Sequence, residues 1–230
     1  MHSKPETPVA MLANPWFSGL PEADRRALLR TGERLSLRAG EMVYRQGDAP
    51  SGFFGVVSGS FKVSTLREDG REVILAVLEA GNWFGETSLF DALPRPHDVT
   101  ALAPAQVLVV GPPAFENLMA GPAFARSMCV LLSSRVRLLY SLVEDTMLRS
   151  TRARVARRLL ALARGDATMA RDSRSQVPVS QESLAMMLGV TRQTLSKELK
   201  LLASAGVLTV GYGRIDILSL AALQERGGLG

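Results

Sequence analysis

Residues 180–210, SQESLAMMLGVTRQTLSKELKLLASAGVLTV, read as two short helices joined by a tight turn, and this reading decides the fold. Ser180 can cap the first helix, because a serine hydroxyl accepts from the N–H groups that a first turn leaves without partners. Leu184 and Leu188 recur at helical spacing and point inward, Ala185 is small where two helices must approach, and Gly189 supplies a left-handed turn. Thr191 can cap the second helix in the same way. Leu195, Leu199 and Leu202 hold that helix to its domain, which predicts a solvent-facing side made of Arg192, Gln193, Ser196, Lys197 and Lys200. Such side chains suit the major groove of double-stranded DNA. Arg and Lys donate to guanine O6 and N7 or to phosphate, and Gln pairs with adenine N6 and N7. Just downstream, VLTVGYGRIDIL places two strand-like runs around Gly211-Tyr212-Gly213-Arg214, a β-wing whose tip residues Tyr212 and Arg214 could touch sugar-phosphate. The alternative is an ordinary helical hairpin with its charges in solvent. Paired caps, a small contact residue, a turn glycine, a basic outer face and a wing coincide here, and that convergence favours DNA.

The distribution of charge points the same way. The chain of 230 residues carries a net charge of +5, yet residues 1–112 hold 11 Lys+Arg against 13 Asp+Glu while residues 113–230 hold 16 against 9. One near-neutral half and one basic half suggest a sensor joined to a polyanion binder. With 47% hydrophobic residues the chain can bury a real core, and only the first dozen residues look loose. No stretch is apolar for long enough to span a membrane and the N-terminus lacks the order of a signal peptide, so a cytoplasmic location without membrane partners is expected.

Upstream of the two helices, ARVARRLLALAR reads as an amphipathic helix with Val155, Leu159, Leu160 and Leu162 on its apolar side and its arginines facing outward. RGDATMARDSRSQ follows as a polar loop, and Val177-Pro178-Val179 as a short extended piece. Before a hinge near Arg149 to Thr151, a long helix is predicted. Met128, Leu132, Val136, Leu139, Val143 and Met147 recur at gaps of three and four, and Leu131, Leu138 and Leu142 form a flanking stripe. A helix apolar on two sides needs two partners. One is its own domain; the other is the same helix of a second subunit, or else further burial within one subunit. From Leu35 to Val110, short runs rich in Val, Ile, Phe and Leu are cut by glycines, the pattern of a small β-barrel or jelly-roll-like β-roll, with Glu68-Asp69-Gly70 as a hairpin turn. The expected organisation is α+β: a β-roll over residues 1–112, a long dimerisation helix over 113–148, and a winged helix-turn-helix over 149–230.

GVTRQTLSKELKLLASAGVL, together with GNWFGETSLF and PRPHDVTAL, resembles the CRP/FNR family of dimeric bacterial transcription regulators, and the likeness runs from about Leu20 to Leu220. The resemblance implies a homodimer that reads DNA, with RNA polymerase as a further candidate partner. It also implies a cyclic-nucleotide cassette in the roll. There Glu86 would accept from a ribose hydroxyl, Arg95 would pair with the cyclic phosphate, and backbone N–H groups around Gly85, Thr87 and Ser88 would complete the cradle. Two features depart from the family pattern. Pro96 stands where a hydroxyl residue usually follows the arginine, and Leu139 and Tyr140 stand where the cyclic-AMP-responsive members carry a Thr-Ser pair toward the adenine. Both argue against cyclic AMP. They leave open another cyclic nucleotide or anion, or an effector-independent regulator whose roll is a protein-interaction module. By the same resemblance Arg192 aligns with a guanine-reading arginine, Lys197 stands where another arginine is common, and Gln193 replaces a glutamate that accepts from cytosine.

Enzymatic and metal-based functions find little support. His2 lies in the N-terminal tail and His97 beside the cassette, and no metal-ligand spacing, nucleophile elbow or P-loop is present. The single cysteine, Cys129, cannot hold an iron-sulfur cluster, and its place in the apolar register of the long helix predicts a buried structural thiol.

Overall fold

A computed structural model describes residues 9–66, 68–165 and 174–228. The chain divides into two compact units, Met1–Thr65 with Val77–Val136, and Leu66–Ala76 with Arg137–Gly230. The fold is α+β throughout, as the sequence predicts.

Among the described residues, the first unit begins with the helices α1 (Val9–Ala13), α2 (Pro15–Gly19) and α3 (Glu22–Thr31). Val9 to Leu12 lie within the dozen residues expected to be loose, yet they are helical, because Met11 inserts fully into the core beside Phe17 and Leu20. Eight short strands follow: β1 (Glu33–Leu37), β2 (Met42–Tyr44), β3 (Phe53–Ser58), β4 (Ser60–Leu66), β5 (Glu72–Glu79), β6 (Trp83–Phe84), β7 (Asp98–Ala101) and β8 (Ala105–Val110), with α4 (Thr87–Asp91) between β6 and β7. They form two four-stranded sheets, ordered β1-β8-β3-β6 and β2-β7-β4-β5. The pairings are antiparallel, with Phe53 opposite Val110 and Phe61 opposite Ala101. The expected turn is visible in outline, with the Arg71 N–H donating to the Asp69 carboxylate at 3.1 Å. Aromatic rings close the core. Phe17 stacks on Trp83 at 5.5 Å, Phe53 lies 5.1 Å from Trp83, and the Trp16 indole donates to the Ser127 carbonyl at 2.8 Å.

Residues 113–148, expected as one helix, form two: α5 (Pro112–Met119) and α6 (Pro122–Leu148). Ala120 and Gly121 separate them, and Pro122 opens the second, where a missing N–H costs nothing. The 27 residues of α6 span about 40 Å. Phe124 and Met128 fix its beginning in the core, while Val136, Leu139, Tyr140, Val143 and Met147 are exposed, Leu139 by 60% and Met147 by 78%. Cys129 is exposed too, contrary to expectation. It directly follows buried Met128, and one residue along a helix turns the side chain about a quarter-circle away from the core.

In the second unit α7 (Thr151–Ala163) precedes β9 (Gln176–Val177), α8 (Gln181–Leu188), α9 (Arg192–Ser204), β10 (Leu208–Gly211), β11 (Arg214–Ile217) and α10 (Leu220–Arg226). Its sheet is ordered β10-β11-β9, so Val177 of the expected extended piece pairs with Ile215. Most of the predicted polar loop, residues 166–173, lies outside the described residues. The arginines of α7 do not all face outward. Arg158 is 6% exposed because it lies one turn from both Val155 and Leu162, and Arg157 turns back to Asp145 (2.6 Å) and Ser141 (3.3 Å).

Candidate functional site

The geometry of α8 and α9 follows from their ends. The Ser180 hydroxyl accepts from the Ser183 N–H at 3.0 Å, and the Thr191 hydroxyl from the Thr194 N–H at 3.1 Å, so each helix starts at a side-chain cap. Between them Gly189 sits at φ +63°, a left-handed conformation that a Cβ would strain. Leu184, Ala185 and Leu188 of α8 and Leu195, Leu199 and Leu202 of α9 are buried. This leaves Thr191, Arg192, Gln193, Lys197 and Lys200 exposed and Ser196 half-buried along the other side of α9. Beside that side runs an open groove of about 870 Å³. Gln181, at the first position of α8, joins its lining. Sequence reasoning passed over Gln181 because it reads as an ordinary helix-start residue. At the wing, β10 and β11 pair from Leu208 opposite Ile217 to Gly211 opposite Arg214. Tyr212 at the tip is fully exposed, and Arg214 lies 3.4 Å from Asp216.

The roll cassette is assembled differently from its sequence reading. Gly85, Glu86, Thr87, Ser88 and Arg95 do come together, while Pro96 is exposed and Leu139 and Tyr140 stand exposed on α6. Arg95 is only 2% exposed. Its guanidinium donates to the Gly85 carbonyl at 2.6 Å and the Gly52 carbonyl at 2.8 Å, and lies over the Tyr44 ring at 4.3 Å and the Phe54 ring at 5.4 Å. Gly85, at φ +91°, makes this approach possible. A Cβ there would stand 2.8 Å from the Phe54 ring and 3.2 Å from Arg95 Nη1. Burial lowers the Arg95 pKa, opposed by Tyr44 and Asp48, and pushes Tyr44 up to about 12.

Glu86 is fully buried and forms an ion pair with Arg135 of α6, whose other donor reaches the Trp83 carbonyl. Burial pulls Arg135 down to about 10, with Tyr44 opposing. Tyr44 and Arg135 are the cassette residues that the sequence did not disclose. Both come from outside the motif, and only folding brings them to it. His97 is half-buried, its Nδ1 3.0 Å from the Thr65 hydroxyl. Glu86 Oε2 and Arg95 Nε are buried without hydrogen-bond partners, but both are sealed from solvent. As packed, most of the cassette's donors meet partners within the chain. Its arginine is spent on two carbonyls and two aromatic faces, and Phe54, Phe61 and Phe84 pack together within the roll.

Comparison with known proteins places the chain in a lineage. Residues 34–121 match the cyclic nucleotide-binding domain and residues 153–226 the Crp-like helix-turn-helix domain. Transcriptional regulator LdrP of Thermus thermophilus is 30% identical over 189 residues, 82% of this chain and 93% of LdrP. The chain belongs to the CRP/FNR family of transcription regulators. The CRP-like cAMP-activated global transcriptional regulator of Mycobacterium tuberculosis is 26% identical over 192 residues, covering 83% of this chain and 86% of that protein. A crystal structure of a CRP-family regulator, also from Thermus thermophilus, superposes with a TM-score of 0.68 at 28% identity, over 84% of this chain and 96% of the other. These CRP/FNR relatives are named as transcriptional regulators, and none of those names describes an enzyme. In this CRP/FNR protein, no helix among the described residues is long and apolar enough to cross a membrane.

Proposed function

We propose that this regulator acts as a cytoplasmic homodimer that binds double-stranded DNA through α9, without catalytic turnover. Arg192, Gln193, Ser196 and Lys197 enter the major groove, Thr191 and Lys200 meet the flanking backbone, and Tyr212 and Arg214 of the wing reach sugar-phosphate. The observation that carries this reading is the two-sidedness of α9: three leucines buried on one side, an almost continuous polar and basic surface on the other. The functional division proposed is a sensor roll over residues 1–112, a dimerisation segment over 113–148 whose long helix is α6, and a DNA-binding domain over 149–230. The exposed apolar stripe of α6 supports dimerisation, since Val136, Leu139, Val143 and Met147 recur at heptad-like spacing. RNA polymerase is the partner through which such a regulator would act on transcription.

For the roll, the burial of Arg95 favours the reading in which the cassette is a packed element that works without a cyclic nucleotide, cyclic AMP included. Calorimetry with cyclic AMP and cyclic GMP tests it, and tight binding abolished by Arg95→Ala would overturn it. Fluorescence anisotropy on duplex DNA across a salt series tests the DNA reading. Log affinity should fall linearly with log salt, and Lys200→Ala should reduce the slope by about one. Binding that is absent, or indifferent to salt, would contradict it.

A further inference from the structure

The second unit holds a partly open cavity of about 340 Å³ lined by Val73–Leu75 of β5, the second half of α6, α7, the last turn of α8 and Gln224 of α10. This lies in the range of roughly 300–1,000 Å³ typical of small-molecule sites. One wall is apolar, with Ile74, Leu142, Leu160 and Met187; the other is cationic, with Arg154, Arg157, Arg158 and Arg164 against a single carboxylate, Asp145. Asp145 is already engaged by Arg157 at 2.6 Å. Arg154 is half-buried, and its Nη2 donates at 2.6 Å to the Leu188 carbonyl, a neutral acceptor. Among the described residues no carboxylate forms an ion pair with Arg154. A partly desolvated guanidinium beside an apolar wall is the complement of one negative charge on an apolar body.

We propose that this cavity is a regulatory binding site for an amphipathic carboxylate. The carboxylate pairs with Arg154, and the apolar body lies against Ile74, Leu142 and Leu160. A monoanion suits Arg154, whose guanidinium donates to a neutral carbonyl and forms no ion pair among the described residues. The site couples to α9 through Leu188, the last residue of α8. Its carbonyl is held by Arg154, and Gly189 follows with the turn that sets the direction of α9. A carboxylate that draws on the same guanidinium changes what holds that turn, so it binds two arrangements of the helix pair unequally and shifts their populations. The regulatory half of this proposal rests on α9 binding DNA; the binding half does not.

The test is calorimetry on the full chain with decanoate and 2-naphthoate, with decanol as the uncharged control, alongside anisotropy on a selected DNA duplex. Both carboxylates should bind saturably, decanol about tenfold more weakly or worse. Arg154→Gln should weaken decanoate by about tenfold while its amide keeps a donor for the Leu188 carbonyl. Ala161→Phe, which fills the cavity from α7, should abolish binding with the circular dichroism unchanged; if that variant misfolds, Arg154→Gln decides alone. No saturable binding of either carboxylate, equal binding of decanol, or binding indifferent to Arg154→Gln would overturn the site. Decanoate should also alter duplex affinity at least about threefold, the low end of ordinary coupling between sites. Unchanged affinity with intact carboxylate binding would overturn the regulation. A chain that binds decanoate but no DNA would refute the DNA reading and leave the site standing.

Discussion

The Arg95 guanidinium lies over the Tyr44 ring, 4.3 Å from its centroid, with its donors on the carbonyls of Gly52 and Gly85. In this arrangement the arginine braces three loops of the roll. Arg95→Ala should therefore act first on stability. It removes a desolvated cation–π contact and strands two carbonyls, for a loss of about 3 kcal/mol in chemical denaturation. Arg95→Lys should recover little, because an ammonium does not reproduce a guanidinium's ring contact and forked donation. A stability equal to wild type would show that the guanidinium is not structural.

Glu86 and Arg135 form the second brace. Arg135→Leu leaves a fully buried carboxylate without its cation and should cost about 3–5 kcal/mol. Glu86→Gln combined with Arg135→Leu should cost less than the two single changes together, with a coupling of about 1–3 kcal/mol in a double-mutant cycle. Strict additivity would mean that the pair does not interact in solution.

Acid should weaken the roll through His97. Burial lowers its pKa below the ordinary 6.5, with Asp98 opposing. The unfolded chain therefore takes up the proton first as pH falls. The stability held above 6.5 is lost progressively as pH drops toward the lower folded value. His97→Gln, which keeps a hydrogen-bonding group for Thr65, should flatten the fall in melting temperature below pH 6.5. An unchanged slope would place the acid sensitivity elsewhere.

The apolar stripe of α6 leads to a prediction about assembly. Val143→Asp adds a charge in the middle of the exposed stripe, where a single chain loses little. Sedimentation velocity should show the wild type as a dimer and this variant shifted strongly toward monomer, with unchanged circular dichroism and weaker operator binding. A variant that remains dimeric would place the interface on another surface.

The helix pair was legible because its signals are local. Caps, turn glycine and leucine spacing in Ser180 to Gly206 state the geometry within one stretch of chain, and each makes the contact expected of it. The cassette was legible as a motif but not as a site. Glu86 and Arg95 can be found by spacing, whereas their partners Arg135 and Tyr44 lie 49 and 51 residues away, and nothing local marks them. The same limit explains Arg158 and Cys129. Periodicity says which residues share a face, but burial depends on which face the rest of the fold covers.

Selection from random duplexes tests the central claim, that α9 reads DNA from a symmetric dimer, most directly. Wild type and Gln193→Glu would be carried through the same rounds and sequenced. The account predicts an inverted repeat with half-sites about one helical turn apart, and a changed preference at one position of each half-site in the variant, since a carboxylate accepts where an amide can also donate. Failure to enrich any inverted repeat, or the same motif from both proteins, would contradict it.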